Sequence, residues 1–256
     1  MSDPVESRRV HGWFRAAARF RHFQAAGAPV TWALVVTCVG VHAATGVVEL
    51  AAGRTDAWGM VFGARSAGTL REMGARDARA VDAGEVWRLV SAGFVHADAS
   101  HLFFNGLALV GLGRMAETAF GSLRTLWVFL LAVTGGNMLA QAGDAPLSVG
   151  ASGGVFGLMG ALVAFGRLRG ADMPPPMRAM FGRELWRWIG LNLLIGFLLP
   201  FVDNRAHVGG LIAGALAGWT LHDRLTRAGP PARATSVGIG VGCVCLLAAA
   251  ARGLGG

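Results

Sequence analysis

The chain has 256 residues, of which 54% are hydrophobic and only 15% charged, with a formal net charge of +8. So little charge cannot cover the surface of a soluble domain, which leaves the membrane class. The positive balance is not a nucleic-acid footprint either, because the basic residues, all Arg, cluster between apolar runs instead of lining one face.

The first residues, 1–29, carry Arg interleaved with Trp13, Phe14, Phe20 and Phe23. They contain no continuous apolar run and no small-residue cleavage site, so they are not expected to act as a signal peptide. They read equally as an interfacial segment or as a solvated basic tail. Seven apolar stretches follow, at 30–50, 100–119, 124–142, 152–168, 185–202, 206–222 and 234–251. Each approaches the ~20 residues that cross a hydrocarbon core as helix. The seventh is the shortest on signal, interrupted by Gly and followed by a Gly-rich end.

The expected fold class is therefore an all-α polytopic transmembrane helix bundle. It has a core over 30–222 with a long first loop at 51–99, then a basic loop and seventh span in 223–256. The three cysteines, Cys38, Cys243 and Cys245, lie in apolar runs and fit neither a disulfide framework nor a metal site. Arg residues mark every second connection: the N-terminal tail, Arg114 and Arg124, the group from Arg167 to Arg187, and Arg224 to Arg233. That alternation predicts a cytoplasmic N-terminus.

Three polar residues stand out inside the spans. Ser152, His207 and His101 lie about 22, 25 and 20 Å along their helices from the nearest cytoplasmic Arg, at 1.5 Å per residue. All three then sit several Å below the outer surface at nearly one level, where ionisable groups are costly and mark a site. Ser152 stands in Gly150-Ala151-Ser152-Gly153-Gly154 at an expected helix start, where unpaired N–H groups suit a developing oxyanion. Serine needs a base, and His207 is at matching height.

Gly153 and Gly157, and Gly210, Gly214 and Gly218, recur at four-residue spacing, which lets the two spans approach. His101 and Asn105 share a helix face and offer donors to an oxyanion; the bland reading makes Asn105 a bridge between helices and His101 an interface residue.

The chain resembles the rhomboid intramembrane serine proteases from its second span to its sixth. The resemblance rests on Glu85-Val86-Trp87-Arg88, on Val95-His96 through His101-Leu102-Phe103-Phe104-Asn105, and on Gly113 to Ser122 with Glu117. It rests further on Gly150-Ala151-Ser152-Gly153 and on Asp203-Asn204-Arg205-Ala206-His207-Val208-Gly209-Gly210. The resemblance implies six core helices, with a seventh found in some relatives, in a bacterial inner membrane, with the site opening outward.

It further implies Ser152 as nucleophile and His207 as base. His101, Asn105 and the Ser152 N–H would be the oxyanion donors, with His96, Gly150 and Phe156 auxiliary. Phe156 stands where many relatives carry Tyr. The segment 185–202 and the loop at 203–205 would form a movable gate and cap. Transmembrane proteins would be the substrates, the bilayer the surroundings, and neither cofactor, metal nor nucleic acid is implied. Two rivals stay open: a catalytically silent, client-binding rhomboid relative, and a small transporter or channel lined by the buried His and Asn.

Overall fold

Apolar runs of span length form helices close to where the sequence puts them. The computed structural model describes residues 4–25, 27–143, 147–199 and 202–221. Among the described residues the long helices are α1 (Pro4–Ala25) and α2 (Pro29–Ala51), separated from later ones by short helices α3 (Ala57–Phe62), α4 (Ala67–Glu72), α5 (Ala78–Asp82) and α6 (Arg88–Ser91). Then come α7 (Ala99–Phe120), α8 (Ser122–Gln141), α9 (Ser152–Arg169), a short α10 (Pro175–Ala179), α11 (Leu185–Leu198) and α12 (Asn204–Thr220).

The all-α expectation gains one two-residue antiparallel ladder, β1 (Arg76–Asp77) against β2 (Leu147–Ser148). Among the described residues, three stretches are long and apolar enough to cross a membrane on length and composition: Pro29–Ala51, Ser122–Gln141 and Ser152–Asp172. The chain is an integral membrane helix bundle. The expected seventh span at 234–251 lies outside the described residues, as do Cys243 and Cys245.

The expected fifth span, 185–202, overshoots. Its helix stops at Leu198, and Leu199 is extended. Residue 200 is proline, whose ring bars the residue before it from the α region.

The core is built around α9. Its Leu158, Ala161, Leu162 and Phe165 are fully buried, with α8 and α12 against it and α7 and α11 further round. Glycine makes this closeness possible. A Cβ on Gly214 would run into the backbone of Gly157, one on Gly210 into that of Gly153, and one on Gly218 into that of Ala161. Contact this close replaces side-chain bulk with dispersion between backbones, which is what holds helices together in lipid.

Glu117 joins α7 to α2. The first N–H groups of a helix have no partner inside it. In α2, Thr31 donates its N–H (2.6 Å) and its hydroxyl (2.7 Å) to Glu117 Oε1. Gly113, one turn before Glu117, leaves room for the Thr31 hydroxyl.

The loop 51–99 is ordered by local caps and by Arg. Asp56, Ser66 and Asp77 each accept an N–H at the start of a short helix. Arg88 donates to the carbonyls of Arg71 (2.6 Å) and Ala75 (3.1 Å), pairs with Glu85, and lies over the Trp87 ring. Arg76, fully buried, reaches Gln141 on α8 at 3.2 Å and sits 3.9 Å from Asp203 before α12. The loop is thereby tied to the end of α8 and to the start of α12.

The N-terminal segment, readable either way from sequence, is helical and docked. Trp13 Nε1 donates to the Ala171 carbonyl, and Phe20 meets Phe181 edge-on, which in turn meets Phe165.

Candidate active site

The site assembles where α9 and α12 begin. The ladder β1–β2 delivers the chain to Gly150, whose φ of +115° belongs to the region glycine tolerates. Gly150 donates its N–H to the Ala92 carbonyl at 2.9 Å. A Cβ there would lie 2.6 Å from His101 Nε2, so both the turn and the approach of His101 demand glycine. Ser152 then opens α9, so its N–H has no partner in the preceding turn of that helix.

Asp203 caps α12 by accepting the Arg205 N–H, and one turn in lies His207, nearly buried. Ser152 Oγ and His207 Nε2 are 2.9 Å apart. They come from helices whose glycines let the backbones touch, and the pair would not form across an ordinary interhelical gap. Phe156, one turn past Ser152, stacks on the His207 ring at 4.4 Å between centroids and 12° between planes. The phenyl ring thus holds the imidazole flat without a hydroxyl.

The second nitrogen of the imidazole also has a partner, one whose role the sequence alone does not reveal. Asn204 Oδ1 lies 3.2 Å from His207 Nδ1. The i, i+3 spacing of Asn204 and His207 on a helix was the available signal.

His101 and Asn105 border Gly150 from α7. Asn105 spends one amide hydrogen on the His101 carbonyl at 2.9 Å, which leaves its second hydrogen to donate elsewhere. His96 is fully buried and packs edge-on against His101. Its Nδ1 donates to the Phe94 carbonyl at 3.2 Å, so its Nε2 is an acceptor, and the Ala151 N–H donates to it at 3.4 Å. His96 therefore pins the backbone just before Ser152.

Gly153 and Gly154 serve packing. Gly153 receives Gly210 of α12, and a Cβ on Gly154 would enter the Phe129 ring. The contact with Gly210 is the close approach that the four-residue glycine spacing on the two spans leads one to expect. Among the described residues, His, Cys, Asp and Glu form no cluster of metal-ligand size.

A serine hydroxyl bonded to an imidazole nitrogen, with nearby free donors, is a set suited to acyl transfer. The Rhomboid domain family matches residues 83–224 of the chain. RHOMBOID-like protein 5 of Arabidopsis thaliana is 37% identical over 156 residues, 60% of this chain and 50% of that protein. RHOMBOID-like protein 6, mitochondrial, of the same plant is 36% identical over 158 residues, 61% of this chain and 50% of that protein. Rhomboid protease GluP of Bacillus subtilis (strain 168) is 35% identical over 164 residues, 60% of this chain and 30% of that protein. At the matched region the chain spans half or less of the length of these relatives.

Proposed function

Since the chain belongs to the rhomboid family, we propose that it is an intramembrane serine endopeptidase acting in or beside the transmembrane segments of other membrane proteins. The observation that carries this reading is the 2.9 Å approach of Ser152 Oγ to His207 Nε2 across two helices. The name protease borne by the Bacillus relative supports it.

In this reading His207 Nε2 takes the Ser152 proton as Oγ attacks the scissile carbonyl. The oxyanion is met by the Ser152 N–H and by the side chains of His101 and Asn105. His207 then passes its proton to the leaving amine, and an acyl ester on Ser152 remains. Water, deprotonated by the same imidazole, releases the acyl group and restores the hydroxyl. Phe156 keeps the ring aligned, Gly150 lets His101 approach, and His96 fixes the Ala151 amide so that Ser152 cannot drift.

A helical substrate hides its carbonyls in its own hydrogen bonds, so Gly, Pro or small residues in its span favour cleavage. The same reading puts residues 1–29 in the cytoplasm and 30–222 in a bacterial inner membrane as the protease core, with 223–256 adding a seventh span and the site opening outward.

The test is co-expression of the full chain with a panel of single-span reporters, wild type against Ser152→Ala. Processing by wild type alone is expected. Equal processing by both would remove the enzymatic reading and favour a silent, client-binding rhomboid relative.

A further inference from the structure

The Asn204 amide stands between two groups of opposite demand. Its Nδ2 lies 3.2 Å from the Leu193 carbonyl of α11, and its Oδ1 lies 3.2 Å from His207 Nδ1. A backbone carbonyl can only accept, so the amide NH2 has to face Leu193. That turns Oδ1, itself only an acceptor, toward the imidazole, and Nδ1 has to carry the hydrogen. A neutral imidazole protonated at Nδ1 has its lone pair on Nε2. Nε2 is the atom 2.9 Å from Ser152 Oγ. One carbonyl on α11 therefore decides, through one amide, which nitrogen of His207 is the base.

A second observation on α11 supports the same link. Gly196 lies three residues after Leu193, and a Cβ there would overlap Asn204 Oδ1 and come within 3.0 Å of its Cγ. Gly196 thus makes the space that the bridging amide occupies. Around this polar contact α11 is apolar and open, with Leu194, Phe197 and Leu198 all exposed.

We propose that Asn204 is the positioning residue of His207, and that it couples the placement of α11 to the tautomer of the base. The inference rests on the Ser152–His207 protease reading. A base held this way is competent while the Leu193 carbonyl is in place. When α11 moves away, the amide is free to turn its NH2 toward the imidazole, and Nδ1 becomes the acceptor.

The test uses the full-length protein in proteoliposomes with a cleavable single-span reporter, measuring kcat, KM, the pH profile and thermal unfolding. Asn204→Ala is expected to lower kcat about tenfold, the weight of one net hydrogen bond, with little change in KM or unfolding temperature. Asn204→Asp keeps the acceptor, so most of kcat returns. Its carboxylate stabilises the imidazolium, which moves the acidic limb of kcat/KM to higher pH. Gly196→Ala should lower kcat in the wild-type background and add nothing on top of Asn204→Ala.

Unchanged kcat in Asn204→Ala, an unshifted profile in Asn204→Asp, or full multiplication of the two losses in the double variant would overturn the coupling. If the alanine variant does not fold, the Asn204→Asp profile decides alone. Cleavage that survives Ser152→Ala is a different failure, since it removes the protease reading beneath.

Discussion

Substituting Gly210 by alanine tests the link between helix packing and the site. A Cβ at 210 would lie 2.8 Å from the Gly153 carbonyl carbon and 3.1 Å from its Cα, and closer still to the carbonyl oxygen. Carbon atoms settle about 3.5–4.0 Å apart, so α9 and α12 have to part locally by at least about 0.7 Å. Gly153 is the residue after Ser152, and Gly210 is three after His207, so the separation falls on the pair itself. An Oγ–Nε2 distance of 2.9 Å would open to about 3.6 Å, beyond hydrogen-bonding range.

Overpacking of this kind costs about 1–3 kcal/mol of stability. The assay is the rate of covalent labelling by a fluorophosphonate in detergent, beside thermal unfolding of the same sample. Labelling should fall about tenfold or more, in line with one lost hydrogen bond, while most of the protein remains folded. Gly40→Ala on the exposed side of α2, where a Cβ meets nothing within 4 Å, should leave labelling unchanged. Wild-type labelling by Gly210→Ala would refute the claim that glycine contact holds the pair together.

Other substitutions separate structure from chemistry. Glu117→Ala leaves the Thr31 N–H and hydroxyl without their acceptor and should cost about 1–3 kcal/mol, read as a lower unfolding temperature with normal labelling of the folded protein. Phe156→Ala should slow labelling and destabilise by about 3–5 kcal/mol, whereas Phe156→Tyr, keeping the stacked ring, should label near the wild-type rate. Asp77 accepts from Arg71 Nε at 2.7 Å and from the Ala80 N–H at 3.0 Å, and the Arg71 bond first of all holds its carboxyl below the usual carboxylate range. A lowered folded value gives stability that is complete above the unfolded pKa and is lost as pH falls through the folded one. Asp77→Ala should therefore cost about 1 kcal/mol at neutral pH, with the gap from wild type closing below about pH 3.9.

The helices were legible because a membrane span is a local pattern. A run of apolar residues of fixed length needs no partner to be recognised, and α2, α7, α8, α9 and α12 begin and end within a few residues of it. Ser152 and His207 were legible for a related reason: a polar group in an apolar run is conspicuous, and a helix converts residue number to depth.

What escaped depends on residues far apart in the chain. The pairing of Arg76 with Ser148 and the reach of Arg76 to Gln141 and Asp203 join segments that nothing local connects. Phe20 finds Phe181 across more than half the chain, which is why residues 1–29 read either way. Asn204 was visible in its motif, but its role depends on a carbonyl of α11 and on the missing side chain of Gly196.

In the proposed protease, everything depends on activation of the Ser152 hydroxyl by His207. The most direct measurement is mass spectrometry of the peptide that carries a fluorophosphonate adduct, in wild type and in His207→Ala. The expected result is an adduct on Ser152 that disappears when the imidazole is removed from a folded protein. An adduct on another residue, or one on Ser152 that forms equally fast without His207, would contradict that activation.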